Sequence, residues 1–250
     1  MHSQVLEVAV DLVSQQGLTV GLGHLSFDEI IQKAGVSRTT AYRVWPRKER
    51  FLEDLLRSLA DVVSPYYGDW ANDIGEKTFD MLKANLSELA TAEGRWAMMV
   101  EACRVAVNEW AVSVASTPTW KTFLALITTM RSLADQELAD ELRRRLRVAD
   151  QRGADKIERL YQHAWRLLGF RPRGVTAKDV VYLGALSLEG AMLQSETLPE
   201  VFEPLGMIDP FATGRVAEWT LNSIAYASAI CCTLEPDPNY DLVAVVSLLG

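Results

Sequence analysis

Residues 26–48 read S-F-D-E-I-I-Q-K-A-G-V-S-R-T-T-A-Y-R-V-W-P-R-K. Ser26 stands three residues before Glu29, so hydroxyl and carboxylate can each satisfy a free backbone N–H of a first helical turn. Phe27, Ile30, Ile31 and Ala34 follow at helical spacing, and Gly35 stands where a helix stops in a left-handed residue. Val36 can tuck beneath the turn. Ser37 is an N-cap residue for a second short helix carrying Thr39, Thr40, Ala41, Tyr42 and Val44.

Two short helices joined by a Gly-containing turn form the helix-turn-helix, a unit that reads DNA. The charges agree with it. Between Lys33 and Arg50 there are six basic residues, Lys33, Arg38, Arg43, Arg47, Lys48 and Arg50, against the single acid Glu49. An ordinary helical hairpin with a solvated basic face would also carry such charges, and the spacing decides between the two.

The run A-G-V-S, then a polar residue, two small residues, one more residue, Tyr42 and an aromatic-Pro-x-Lys-Glu segment, resembles the N-terminal domain of the TetR family of bacterial transcriptional repressors. The motif covers about the first 55 residues. The resemblance implies that residues 37–44 enter the major groove. It implies too that Tyr42 and Lys48 bind phosphates and that Arg38, Thr39, Thr40 and Arg43 face base edges or backbone; Arg47, among the basic residues of the same stretch, is read as DNA-binding with them. Two departures stand out. The segment 18–25 is a few residues longer than the family spends there, and Arg47 replaces the small residue that caps the fourth helix. The first helix is expected to begin almost at Met1, so no basic arm is expected ahead of it.

At 250 residues and 49% apolar content the chain can bury a sizeable core. The reading is a DNA-binding domain over 1–57 and a helical effector-binding and dimerisation domain over 58–250. No run of 18 apolar residues and no basic-then-apolar leader appears, so a cytoplasmic location is expected, with no membrane. Cys103, Cys231 and Cys232 have neither metal nor disulfide spacing and read as reduced, buried thiols. The net charge of −8 argues against nucleic acid until its distribution is seen. Residues 1–57 hold seven bases and seven acids, whereas the remainder holds 18 bases and 26 acids.

Along the chain, Val5, Leu6, Ala9, Leu12 and Val13 mark an amphipathic helix ending at Gly17. After Pro46, Phe51, Leu52, Leu55, Leu56 and Leu59 mark a helix to about Val63, the natural lever between the DNA-binding domain and the rest of the chain. Pro65, Gly68 and Asn72 break the chain. Further helices are predicted at 74–92, 94–114, 118–149, 155–169, 176–196 and 210–233, with no strand signal between them, so the expected fold is all-α.

The 94–114 helix is apolar nearly all round, and its polar residues Glu101, Arg104 and Asn108 share a face. They form either an internal Glu101–Arg104 ion pair or the polar groups of a largely apolar ligand site. For that site the candidates are Trp96, Met99, Cys103, Arg104 and Trp110, with Trp120 and Phe123 from the next helix. Large flat residues beside methionine suit a bulky apolar or aromatic molecule, although packing alone also accounts for them. Arg143, Arg144, Arg145 and Arg147 are interleaved with Asp140, Glu141 and Asp150 and read as self-neutralised surface.

Over 176–196 and 210–233, small residues sit among large apolar ones, and neither helix has a polar face. They are read as a four-helix interface with a second copy, through Gly184, Ser187, Ala191, Ala217, Thr220 and Ser228. The family resemblance implies the same place for dimerisation. The apolar tail 242–249 is expected to pack on its own domain or on the partner. No catalytic motif, metal set or cofactor loop appears, and His2, His24 and His163 are scattered. The expectation is a homodimeric, ligand-responsive repressor of a palindromic operator, and not an enzyme. The alternative is a helical small-molecule binding protein that no longer reads DNA.

Overall fold

The computed structural model describes residues 2–16, 26–63, 70–114 and 117–249. These are mainly helical: α1 (His2–Gln16), α2 (Phe27–Lys33), α3 (Arg38–Val44), α4 (Lys48–Val62), α5 (Trp70–Ala84), α6 (Ala92–Val114), α7 (Pro118–Ser132), α8 (Gln136–Leu168), α9 (Ala177–Gln194), α10 (Leu221–Cys231) and α11 (Leu242–Leu249). Short 3-10 turns occupy Leu86–Ala90 and Pro199–Phe202. The segment 18–25 with His24, the helix stop at Gly17, and the breaks at Pro65 and Gly68 lie outside the described residues.

The chain forms two compact units. The first unites residues 1–67 with 116–153, so that α7 and the first half of α8 join α1–α4. Here α7 packs on α1 and α4. Its core includes Val5, Ala9 and Val13 of α1, Ile30 and Ile31 of α2, Phe51, Leu55 and Leu59 of α4, and Leu126 of α7, all essentially without solvent exposure. The α1 and α4 residues lie on the apolar stripes read from the sequence.

The second unit unites residues 68–115 with 154–250. Within it α6 is central, packed on α5 and α10, while α9 packs on α10. The tail expectation holds in its first form. Helix α11 lies on α5 and the Leu86–Ala90 turn, burying Val245 and Leu249 while Val243 and Leu248 stay exposed.

Three features correct the expected helices. The segment 118–149 is not one helix, since Leu133 turns extended and Asp135 starts α8, its carboxylate accepting from Leu138 N at 3.1 Å. Thr128, Thr129 and Ser132 hydroxyls all bond back to carbonyls of the preceding turn, competing with the helical ladder as α7 ends. Conversely, no break falls near 150–155. The buried stripe Leu138, Leu142, Leu146, Ala149, Ala154 and Ile157 carries α8 past Gly153, and one glycine costs a helix only about 1 kcal/mol.

The third correction is at 210–220, which is not helical. Gly206, Ala212 and Gly214 take positive φ (98°, 51° and 76°), and Asp209 accepts from the N–H groups of Thr213 and Gly214. The result is a small antiparallel hairpin, with β2 (Met207–Ile208) pairing Met207 with Glu218 of β3 (Ala217–Glu218). A second ladder joins β1 (Phe170–Pro172) to β4 (Leu234–Pro236), with Arg171 opposite Glu235. The strands are too short to show alternation, and the turn residues were their only signal.

Candidate nucleic-acid interface and cavity

Helices α2 and α3 form as their caps specify. The Ser26 hydroxyl accepts from Glu29 N at 3.3 Å, and the Ser37 hydroxyl accepts from Thr40 N at 3.2 Å. Between them Gly35 sits at φ 67°, and Val36 N returns to Ile31 O at 3.0 Å, which closes the end of α2. As the sequence suggests, Arg47 occupies the N-cap of α4 with no side-chain cap bond.

An aromatic cluster fixes the pose of α3. Trp45, which ends that helix, is 1% exposed. Phe27 meets Tyr42, Trp45 and Phe51 at ring distances of 5.3, 6.0 and 4.6 Å, and His2 stacks on Trp45 at 4.7 Å. The indole N–H of Trp45 donates to Asp54 at 2.9 Å, and the same carboxylate takes bonds from His2 at 3.1 Å and Arg57 at 3.0 Å. Burial works to raise the Asp54 pKa, but the bonds from Trp45, His2 and Arg57 outweigh it and hold the carboxyl below its usual range. From Arg57 the chain of charges continues to Glu141 at 2.9 Å, from Arg145 to Glu141 at 2.9 Å, and from Arg145 to Asp61 at 2.7 Å. Trp45 is the aromatic of the aromatic-Pro-x-Lys-Glu segment, but nothing in the sequence marked its bond to Asp54, and Asp54, which carries no motif signature, was missed.

What remains outside is the polar face of α3. Arg38, Thr39, Tyr42 and Arg43 are exposed, as is Arg47 beyond the helix; Lys48 is half-buried. Thr40 is turned aside, its hydroxyl bonded to that of Ser37 at 2.7 Å. One acid opposes this face. Asp28 makes an ion pair with Arg38 and accepts from the Tyr42 hydroxyl at 3.5 Å. The Arg38 bond holds the Asp28 carboxyl below its usual range, and Asp28 in turn raises the Arg38 guanidinium.

In the second unit, α5, α6, α8 and α10 enclose an apolar chamber of about 70 Å³. About 10–15 Å³ is the least space that seats one water, so the chamber as it stands holds a few waters or the end of a small molecule, under half of the roughly 150 Å³ that takes up benzene. Its walls include Phe79 and Leu82 of α5, Met99 and Cys103 of α6, Leu160 and Trp165 of α8, and Ile230 of α10. Gly75, Phe79, Leu160 and His163 also border a wider surface basin of about 470 Å³ that includes Asn72, Glu76 and Lys156. These four residues therefore form a neck. A Cβ on Gly75 would stand 3.1 Å from Leu160 Cδ1, so any side chain there narrows it.

Of the seven expected ligand residues, Met99 and Cys103 line this chamber. Trp96 instead adjoins Phe170 and the hairpin, its indole N–H 3.5 Å from Phe211 O. Trp110 is buried but is not among the lining residues, and the stacked pair Trp120 and Phe123 belongs to the other unit. Arg104 makes a bidentate pair with Glu101 at 2.8 and 2.6 Å, which is the internal ion pair, and also reaches Glu218 O. Gly75, Tyr161, His163 and Tyr226 were missed. Their signal was weak but present, since Gly75, Ala102, Ala106 and Ala164 are small residues on helices that face one another, and small facing residues leave space.

The expected interface residues also separate. Gly184 faces inward, where a Cβ would meet Tyr226 at 3.0 Å and Ile230 at 3.2 Å of its own chain. Ala217 lies in β3 and Thr220 is the N-cap of α10, so neither is helical; Ser187 and Ala191 are half-buried, and Ser228 is exposed. The outer stripe of α9 is instead Tyr182, Leu186 and Leu193, exposed by 37%, 68% and 55%, and Leu221 of α10 is exposed by 47%. Of the thiols, Cys103 and Cys231 are buried and Cys232, at the cap of α10, is exposed, contrary to the expectation of three buried ones.

Among the described residues no group of three or more His, Cys, Asp or Glu is placed to hold a metal ion. None of their helices is long and apolar enough to cross a membrane. No family model, no curated protein and no solved structure matches the chain.

Proposed function

We propose that the chain is a ligand-responsive transcriptional regulator that binds a palindromic operator as a homodimer, in the manner of the TetR family its first 55 residues resemble. The observation that carries this reading is the exposed polar face of α3, where Arg38, Thr39, Tyr42 and Arg43 stand outward beside Arg47 while the aromatic cluster holds the helix from behind. Guanidinium groups and hydroxyls on a rigid short helix can bond both phosphates and major-groove base edges. The chamber of the second unit suits a small, mostly apolar effector. The exposed apolar stripe of α9 supports pairing of two copies.

Selection of bound sequences from random duplexes tests the reading, with a palindrome of half-sites about one helical turn apart expected. Lys48→Ala should weaken all duplexes alike and lower the salt slope by about 0.9 for each phosphate it no longer neutralises. Arg43→Ala should instead change preference at one position of each half-site by about 1–3 kcal/mol. A pool that yields no enriched palindrome would overturn DNA reading and leave a helical small-molecule binding protein.

A further inference from the structure

The chamber has one polar feature that its apolar walls do not explain. Tyr161 of α8 and Tyr226 of α10 point their hydroxyls at each other and are hydrogen-bonded. Neither hydroxyl has another hydrogen-bond partner among the described residues. Each phenol carries one O–H hydrogen, and a bond between the two uses only one of them. The pair therefore keeps one donor unspent, at a place lined by the chamber and not by the outer basin. Burial pushes the ionisation of both phenols well above the ordinary range, so both stay protonated donors at any physiological pH.

The rest of the chamber sets the charge of what could use that donor. Among the described residues no Asp, Glu, Lys or Arg lines it, and the other polar groups on its lining residues are the Thr78 hydroxyl, the Cys103 thiol, the Trp165 indole N–H and the imidazole of His163 at the neck. A carboxylate there would lose its hydration with no cation in the chamber to replace it, whereas a neutral carbonyl needs only one donor.

We propose that the chamber takes a neutral apolar carbonyl compound, a small aryl or alkyl ketone, ester or lactone, which enters past Gly75 and accepts a hydrogen bond from the Tyr161–Tyr226 pair. This rests on the reading of the second unit as the effector-binding one and gives the effector its chemical class. The basin beyond the neck, with Asn72, Glu76 and Lys156, accommodates whatever polar substituent trails behind.

Ligand-observed NMR titration of the full chain with acetophenone, ethylbenzene and benzoate tests the class. The three are close in size and differ in carrying a neutral acceptor, no acceptor and a charge. Acetophenone should bind about three- to tenfold more tightly than ethylbenzene, the span of one net hydrogen bond, and benzoate should not bind. In Tyr161→Phe/Tyr226→Phe that preference should vanish while ethylbenzene binds as before, which also shows the chamber intact. Gly75→Leu should block all three. Equal binding of acetophenone and ethylbenzene by the wild type, preference for benzoate, or no binding by any of them would overturn the proposal, whether or not the double variant folds. The DNA reading fails separately. Acetophenone held by a protein that retains no duplex would leave this inference standing and remove the regulator.

Discussion

Asp54 shows how one side chain can set the geometry of a helix it does not belong to, here α3. Its carboxylate is the acceptor for the buried Trp45 indole, the His2 ring and Arg57. Removing it strands an indole N–H in a site with 1% exposure, and an unsatisfied buried donor costs about 1–3 kcal/mol. Asp54→Ala should lower stability to urea by that amount at neutral pH. The pH dependence has a definite sign. Because the folded carboxyl titrates below the unfolded value of about 3.9, its stabilisation is complete above that pH and is lost as pH falls through the folded pKa. The gap between wild type and variant should therefore be present at pH 7 and close progressively in acid. A gap unchanged by acid would mean that the carboxylate charge contributes nothing there.

At the scale of elements, the sequence was most legible where local chemistry decides the outcome. Ser26, Gly35 and Ser37 specify the start, stop and restart of α2 and α3 with bonds spanning five residues or fewer, and all three act as read. The chamber was far less legible. Periodicity says which face of α6 is buried, but not whether Met99 or Trp96 meets space once α5, α8 and α10 have converged. Trp96 and Trp110 are apolar and largely sheltered, yet they close other seams. Gly184 has the same lesson. Small residues let helices approach, and the approach it permits is between α9 and α10 of one chain, against Tyr226, Ile230 and the Tyr161 hydroxyl. A large side chain there overpacks a filled seam, which costs about 1–3 kcal/mol. Gly184→Leu should accordingly lower the urea midpoint. A variant of full stability that had merely become monomeric would place Gly184 between copies after all.

For the whole molecule, the proposed pairing falls to the outward side of α9 and α10. Leu186 and Leu193 lie seven residues apart on α9, one face of the helix, with exposures of 68% and 55%. The ends of that helix differ in sign, Arg173 before it, with Arg171 already paired to Glu235 at 2.8 Å, and Glu196, Glu200 and Glu203 after it. An isologous contact that sets two copies of α9 antiparallel would bring the basic end of each near the acidic end of the other. Leu186→Glu/Leu193→Glu should sediment as a monomer at micromolar concentration and lose operator affinity, with helicity unchanged because both side chains are already in water. A double variant that remains dimeric would move the interface elsewhere.

The three thiols give this molecule a clock of its own. Cys232 meets a thiol reagent in solution at the cap of α10, while its neighbour Cys231 and Cys103 of α6 are both buried. The first alkylation is therefore an open bimolecular reaction of the thiolate, and its rate scales with reagent concentration. The other two wait for α6 and α10 to part, and at high reagent concentration their rate becomes the frequency of that opening itself. Cys103 also walls the chamber, so a molecule lodged there would lengthen the interval between openings. Occupancy by a compound without colour or fluorescence would then be readable as time.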